Sequence, residues 1–524
     1  MYKTVFSLLQ NKAENTGYAE RIAVIDGNME LSYRTIMNMS LKVGHYLRNG
    51  SNVQKGGRIG ILLKKRWEEV ISIFGISYAD CVFVPINNQL VNHQIEYVLS
   101  DCNVSVLITS AQLLKSKKVS FEKTMVREII YTDNLFDTIA NKNSLLQEIL
   151  NDSPLGDVSL SSSIRTDLAA LLYTSGSTGM PKGVMLTNEN IIMGAEIVAS
   201  YLQLRDDERN LSVLPFSFDY GLNQLMNTFC TGSTIHLFNY LFVKDFVRYI
   251  NEHNISVLAL VPHLWIELFA YLEKHKMKLE SLRCMTNSGG SLYEKFVLKF
   301  KHYFPNGRLF LMYGLTEAFR STYLPPEELE RRPSSIGKAV PNVEIFVLNE
   351  KGKECKSGEL GELVHRGAFV TNGYWNDVEK TKRRFKKNPF QKLEQPIDEI
   401  VVYSGDIVWK DDEGYLYFHG RKDDIIKSYG FRISLHEVED KALEFQFVQE
   451  AIAIGVSDPI AGSVIKLLVI FKDGQEKSKE LEDFLRLSLP YYMLPQTIRA
   501  VENLPLNNNG KIDRPLVHKM YAGI

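Results

Sequence analysis

Short apolar runs alternate with longer amphipathic ones over the first two thirds of the chain. Residues 58–63, 81–86 and 104–109 read as strands, and 67–79 as a helix. The same rhythm returns further on. The β-branched run 255–261 is followed by a helical stretch, 263–274, and strand patterns at 282–286 and 308–312 flank another helix at 293–303. Strand–helix alternation predicts an α/β architecture with largely parallel sheets. After about residue 340 the pattern changes. Short strand-like runs at 343–348, 361–366, 407–410 and 415–419 are separated by Gly, Asp and Glu, which predicts a more antiparallel β region. A charged segment, Arg421-Lys-Asp-Asp424, precedes a compact α+β pattern: helices at 435–445 and 478–489, strands at 450–456 and 464–471. The expected fold is therefore a large N-terminal domain of α/β subdomains plus a β-rich subdomain, residues 1–422, with a small mobile α+β domain, 423–524.

At 524 residues the chain exceeds what one core serves, in line with two domains. Hydrophobic residues at 45% and charged residues at 23% are ordinary for a soluble globular protein. The balance of 61 Lys+Arg against 62 Asp+Glu gives no polybasic face, so a nucleic-acid partner is not expected. The five cysteines are scattered, odd in number and without a CxxC pair, which predicts reduced, mostly buried thiols. No signal peptide and no run of roughly 18–20 apolar residues is present, so no membrane partner is expected and the cytoplasm is the default location.

The most informative stretch is Tyr173-Thr-Ser-Gly-Ser-Thr-Gly-Met-Pro-Lys-Gly183, which follows the apolar run 168–172. Gly176 and Gly179 let the backbone bend and present N–H groups to an anion. Thr174, Ser175, Ser177 and Thr178 add hydroxyl donors, and Lys182 a positive charge. Together they suit a polyphosphate. It is not a Walker A loop: counted from Gly176, the second glycine would fall at Pro181, and Lys182 is followed by Gly183 rather than Ser or Thr. No G-x-S-x-G nucleophile elbow is present there either.

This loop resembles the signature of the AMP-forming adenylating superfamily, which contains acyl-CoA synthetases, peptide-synthetase adenylation domains and luciferases. The resemblance extends over essentially the whole chain, with further motifs in the family's order. In Met312-Tyr-Gly-Leu-Thr-Glu-Ala318 it implies that Glu317 holds Mg2+, Thr316 contacts the α-phosphate and Tyr313 lies against the adenine, with Met312 and Gly314 lining the nucleotide. Gly289, Gly290 and Ser291 of Asn287-Ser-Gly-Gly-Ser291 would form the adenine-side loop. Asp406 resembles the carboxylate that accepts both ribose hydroxyls, and Arg421 its neighbour on the same sugar. Asp423 stands at the hinge position. Lys427 would reach the phosphate after domain rotation, and Gly430 would line the path of the incoming pantetheine. Lys511, in Pro505-Leu-Asn-Asn-Asn-Gly-Lys511, matches the lysine that enters the site for adenylation, where a cation and Mg2+ meet charge developing on the phosphate. The implied cofactors are ATP and Mg2+.

Pro215-Phe-Ser-Phe-Asp-Tyr-Gly-Leu-Asn-Gln-Leu225 falls where the family begins its acyl pocket. Phe218 takes the place of a histidine common in acyl-CoA synthetases. Asp219 aligns with the aspartate that pairs with the α-ammonium in amino-acid-activating domains. Tyr220, Asn223, Leu260, Thr286, Ser288, Met312, Arg320 and Ser321 are the other expected lining residues. A buried carboxylate needs a partner. A substrate ammonium or Arg320 would each supply one to Asp219; pointing at solvent or capping a helix would remove the need. Two segments, 218–225 and 316–326, resemble free-standing ligases that load L-proline onto a peptidyl carrier protein, and also acyl-CoA ligases of bacterial export and polysaccharide gene clusters. The expected activity is activation of an amino acid, foremost L-proline, and transfer to the thiol of a separate carrier protein, since no carrier domain is evident. The alternative is a CoA ligase for a non-amino acid. A non-catalytic relative is disfavoured by the presence of Lys511, Glu317 and Asp406, and nothing favours a luciferase-type second step.

Overall fold

The computed structural model describes residues 2–133, 142–155, 161–174, 180–392, 394–428, 431–458, 462–507 and 510–523. Seven strands form one sheet, in the spatial order Lys142–Leu145, Glu128–Tyr131, Val106–Thr109, Arg58–Leu62, Val82–Pro85, Leu168–Thr174, Lys182–Thr187. Neighbours are parallel except the last two, which form a hairpin. Val82–Pro85 and Val106–Thr109 are buried along their whole length. Parallel strands covered on both faces require this, and it is why they read as unbroken apolar runs.

A second, larger sheet has Met29–Ser32 as an antiparallel edge strand on Ile22–Asp26 and runs on through parallel neighbours Ile22–Asp26, Thr234–Leu237, Arg209–Ser212, Val257–Leu260, Cys284–Asn287 and Arg308–Tyr313. It then continues antiparallel through Thr322–Leu324, Ser335–Ala339, Leu416–Arg421, Ile400–Lys410, Gly361–Gly367 and Val343–Leu348. The switch to antiparallel pairing comes just after Tyr313, not near residue 340 as expected. The short turn Thr316–Ala318 reverses the chain, so Tyr323 pairs back onto Met312. The loop predicted to hold the nucleotide thus sits where the sheet changes direction.

The two sheets share a core. Helix Trp67–Tyr78, almost entirely buried, places Phe74 4.5 Å from the ring of Phe229 on helix Asp219–Thr231. Burying each ring contributes on the order of 1.5–3 kcal/mol. The C-terminal part has its own core, with Ile433, Val438, Leu467 and Leu481 among its members, on a three-stranded sheet of Val448–Asp458, Gly462–Phe471 and Thr497–Ala500. Lys295, from helix Glu294–Tyr303, donates to the carbonyls of Leu443 at 3.3 Å and Val448 at 3.5 Å. That contact ties the C-terminal part to the body at a helix C-terminus, where a cation is favoured. Among the described residues four cysteines are buried, Cys230 is partly exposed and all are free.

Candidate active site

Hairpin Leu168–Thr174/Lys182–Thr187 presents the Gly-rich loop, with Thr174 opposite Lys182. Ser175, Gly176, Ser177, Thr178 and Gly179 lie outside the described residues. The base of the hairpin is pinned by Asp101, which accepts from the Tyr173 hydroxyl at 2.6 Å through its carboxylate and from the Trp375 indole at 3.1 Å through its carbonyl. Lys182 lies 5.6 Å from the Tyr374 ring. The Tyr374 hydroxyl donates to Glu317 Oε1 at 2.5 Å. Burial lowers the Lys182 ammonium pKa, and the nearby Glu317 carboxylate raises it in part. The cation meant for phosphate and the carboxylate meant for metal therefore face each other across one tyrosine.

The expected ribose end is built by strand register. Asp406 and Arg421 are direct partners across Ile400–Lys410 and Leu416–Arg421. Arg421 Nε lies 3.1 Å from Asp406 Oδ1, and the Tyr313 hydroxyl donates to Oδ2 at 2.5 Å. Burial raises the Asp406 carboxyl pKa, and Arg421 is the main opposing influence.

Lys511 enters this site from the C-terminal part. Its backbone is held in a turn: the Lys511 N–H donates to Asn507 Oδ1 at 3.1 Å, and the Asn507 N–H to the Lys511 carbonyl at 2.6 Å. Gly510 of that turn lies against the His263 imidazole. The side chain then runs past Gly289, where a Cβ would sit 2.8 Å from Lys511 Cε, and its Nζ lies 5.3 Å from the centre of the Phe218 ring. Desolvation lowers its pKa; Asp219 is the strongest counter-influence, and Arg421 and Asp406 are also felt. The ammonium thus stands between Phe218 and Asp219 of the expected acyl pocket and Asp406 and Arg421 of the expected ribose site.

Beside it, Asp219 and Arg320 are both buried, with Arg320 Nη1 3.2 Å from Asp219 Oδ2. Burial raises the Asp219 carboxyl pKa; Arg320 and then Lys511 oppose the rise. The aspartate expected to await a substrate ammonium already has a partner, Arg320, as the second of the sequence readings had it. Two devices position this pair. Phe319 has φ 36°, a strained conformation for a bulky residue that carries Arg320 toward Asp219. Gly221 leaves no space for a side chain, since a Cβ would lie 2.2 Å from the Pro215 carbonyl oxygen; this close approach folds segment 214–218 onto the helix start. Lys65 holds the same segment, donating to Ser212 Oγ at 2.8 Å and to the Leu214 carbonyl.

The remaining expected residues distribute as follows. Tyr220 and Thr286 share a hydrogen bond at 2.5 Å. Ser321 Oγ lies 2.9 Å from Nδ1 of the buried His365. The Tyr201 hydroxyl meets Met312 Sδ at 2.9 Å. Asn223, Leu260, Ser288 and Thr316 are buried, and Gly314 packs on the Phe319 carbonyl. Gly289 has φ +86°; Gly290 packs on Pro262 and its carbonyl accepts from Asn287, and Ser291 follows it in an exposed position. Asp423 falls in the single turn Lys422–Asp424 and Lys427 on strand Ile425–Ser428; their side chains, and Gly430, lie outside what is described. Asp101, Tyr374, Lys65 and His263 were not singled out from sequence. Gly373-Tyr-Trp375 is the one local signal that points toward Tyr374.

The family model for AMP-binding enzymes matches residues 9–375, and that for the AMP-binding enzyme C-terminal domain matches 437–511. The chain belongs to the AMP-binding enzyme family, the AMP-forming acid–thiol ligases that adenylate carboxylates with ATP. It is 28% identical to a long-chain-fatty-acid–CoA ligase of Bacillus subtilis, over 98% of this chain and 93% of the relative. It is equally 28% identical to bacitracin synthase 1 of Bacillus licheniformis, over 98% of this chain but only 9% of that far longer protein. The solved o-succinylbenzoate CoA synthetase of Bacillus subtilis, in complex with its acyl-adenylate intermediate, superposes with a TM-score of 0.82 at 25% identity, covering 99% of this chain and 98% of that one. The same enzyme has been solved with ATP and magnesium ion.

Enzymes of this family use ATP with Mg2+. The residues present fit that pair. Among the described residues no cluster of three His, Cys, Asp or Glu could cage a metal. Glu317 offers a carboxylate near Lys182, which suits an ion that takes its other ligands from phosphate oxygens and water. Bound there, Mg2+ would neutralise phosphate charge. Among the described residues no helix is long and apolar enough to cross a membrane.

Proposed function

We propose that this chain activates a small carboxylic acid lacking an α-ammonium group and transfers it to a pantetheine thiol, of CoA or of a separate carrier protein. The observation that carries this reading is the buried Arg320–Asp219 pair. Arg320 and Lys511 both act on Asp219, two cations to one carboxylate, an excess of one positive charge among the three. A simple carboxylate cancels that excess. An amino acid, net neutral as a zwitterion, would leave the excess uncancelled and set its ammonium beside two cations already sharing Asp219.

In the first half-reaction a substrate carboxylate oxygen attacks the α-phosphorus of ATP, the bond to the β-phosphate oxygen breaks and pyrophosphate leaves. Lys511 stands where negative charge grows on the α-phosphate. In the second, the thiol sulfur attacks the acyl carbon, the thiol proton is lost to solvent and AMP departs. By family resemblance the part beyond Asp423 rotates between the two steps and withdraws Lys511, bringing Gly430 to the pantetheine path. A second reading, activation of L-proline or another amino acid for a peptidyl carrier protein, is favoured by the match to bacitracin synthase 1 along nearly the whole chain.

ATP–pyrophosphate exchange separates the two. L-Proline would be compared with cyclopentanecarboxylate, in which CH2 replaces the ring nitrogen, and other amino acids with their des-amino counterparts. Exchange with the des-amino acids at equal or higher rate supports the proposal. Exchange confined to the amino acids would overturn it in favour of the second reading.

A further inference from the structure

Segment 371–375 joins the hairpin that carries Lys182 to the turn that carries Glu317. On one side it runs antiparallel to strand Lys182–Thr187. The Trp375 N–H donates to the Gly183 carbonyl at 2.7 Å, the Met185 N–H to the Gly373 carbonyl at 3.0 Å, and the Asn372 N–H to the Met185 carbonyl at 3.1 Å. On the other side it grips the backbone of Glu317, whose carbonyl accepts from the Thr371 N–H at 3.1 Å and from the Thr371 hydroxyl at 3.0 Å. Tyr374 takes hold of the side chain. Its hydroxyl donates to Glu317 Oε1 at 2.5 Å, a short bond of the charge-assisted kind. Tyr374 is itself fixed. It is buried, its N–H donates to Thr381 Oγ1 at 3.0 Å, and its ring meets Phe385 edge to face at 5.8 Å. Burial first, and then the Glu317 carboxylate, raise the pKa of the phenol, so it stays protonated and remains a donor. Lys182 Nζ lies over the same ring, 5.6 Å from its centre. After burial, Glu317 is the strongest influence on that ammonium. Paired with each other, neither Lys182 nor Glu317 would be free for a phosphate or a metal.

We infer that Tyr374 is a positioning residue for the metal: it holds Glu317 through Oε1, keeps the carboxylate from closing on Lys182 and leaves Oε2 to Mg2+. This rests on the reading of Glu317 as the Mg2+ carboxylate. One free oxygen is enough, because Mg2+ takes one or two carboxylates and fills its other positions with phosphate oxygens and water. A glutamate side chain loses rotamer freedom when it binds a metal, and a hydrogen bond made beforehand has already imposed that loss. Hydrogen-bond partners behind a metal ligand typically change metal affinity by roughly 10–100-fold.

The test reads the metal's part in nucleotide binding without turnover. The Kd of α,β-methylene-ATP, in which CH2 replaces the oxygen that must leave, is measured by calorimetry in saturating Mg2+ and in EDTA, with no acid present. The ratio of the two is the gain that the metal brings. The wild-type protein is expected to show a gain of about 10-fold or more, and Tyr374→Phe a gain within about threefold of unity with little change in EDTA. Phenylalanine keeps the ring against Phe385 and under Lys182, so only the hydrogen bond is removed. Glu317→Gln should lose the gain as well, and adding Tyr374→Phe to it should remove nothing further. If Glu317→Gln loses the gain and a folded Tyr374→Phe variant keeps it, the inference is overturned and the reading of Glu317 stands. Tyr374→Phe weakened equally in Mg2+ and in EDTA also overturns it, since the tyrosine would then be shaping the hairpin alone. A gain kept by Glu317→Gln, or absent from the wild type, means that the reading of Glu317 has failed and this inference with it. If Tyr374→Phe does not fold, Thr381→Val decides, because it removes the acceptor of the Tyr374 N–H. Its gain should fall at least about threefold, and an unchanged gain overturns the inference.

Discussion

Arg320 and Asp219 meet at 3.2 Å in the wall of the expected acyl pocket, both buried. Removing the cation while keeping the anion leaves a buried carboxylate facing only Lys511, and breaking such a pair costs on the order of 3–5 kcal/mol. Arg320→Met is expected to lower stability by about that amount in urea unfolding. Adding Asp219→Asn should restore much of the loss, because the uncompensated charge goes with it. If the double variant is no more stable than the single one, the two side chains do not act as a pair.

Lys511 and Gly289 make a second testable relationship. Lys511→Ala should reduce adenylation by orders of magnitude and leave thioester formation from preformed acyl-adenylate largely intact. Gly289→Ala should act in the same direction from the other side of the contact, since its Cβ would lie 2.8 Å from Lys511 Cε and its φ is +86°. Rapid-quench measurement of each half-reaction checks both. Equal losses in the two half-reactions would show that Lys511 is not specific to the first.

Much of the candidate site could be proposed from sequence because the residues expected to carry its chemistry lie in short local motifs. The loop at Tyr173, Thr316–Glu317, Asp406 and Lys511 are each marked by neighbouring glycines and polar residues, and the fold brings Lys511 toward Asp219, Arg421 and Asp406. What stayed hidden depends on residues far apart in sequence. Nothing around Asp101 marks it as the anchor of Tyr173, which lies 72 positions away. Lys65 and Leu214 are separated by 149 positions. The choice of partner for Asp219 was a three-dimensional question, answered by a strained Phe319 that no local pattern announces. The antiparallel turn after Tyr313 was missed because strands Thr322–Leu324 and Ser335–Ala339, of three and five residues, are too short to show alternation.

His365 gives the fold an acid-sensitive element. It is buried behind Ser321, and burial pushes its pKa down to about 3 from the ordinary 6.5. The unfolded chain therefore binds this proton at a higher pH than the folded one, so stability is lost as pH falls from 6.5 toward 3. Between those limits one such histidine contributes a slope of up to about 1.4 kcal/mol per pH unit. His236, buried and also near 3, adds a second. His365→Asn is expected to flatten the dependence of urea-unfolding stability on pH in that window by close to one proton. An unchanged slope would mean that the imidazole is already solvated or protonated in the native protein.

Gly221 tests whether the acyl pocket is set by the approach of segment 214–218 to the start of helix Asp219–Thr231. The atoms that a Cβ at this position would strike are the carbonyls of Pro215, at 2.2 Å, and Leu214, at 2.8 Å; both are backbone and cannot rotate away. The Leu214 carbonyl is moreover fixed by Lys65. Gly221→Ala must therefore push the segment off the helix, and overpacking of this kind costs roughly 1–3 kcal/mol. The displacement falls on Phe218 and Asp219 and spares Asp406, Arg421 and Glu317, which belong to other elements. The expected outcome is a KM for the acid raised about tenfold or more, with the KM for ATP little changed, since small misplacements near a bound substrate are felt strongly. A parallel rise in both constants would show instead that segment 214–218 supports the nucleotide as much as the acid.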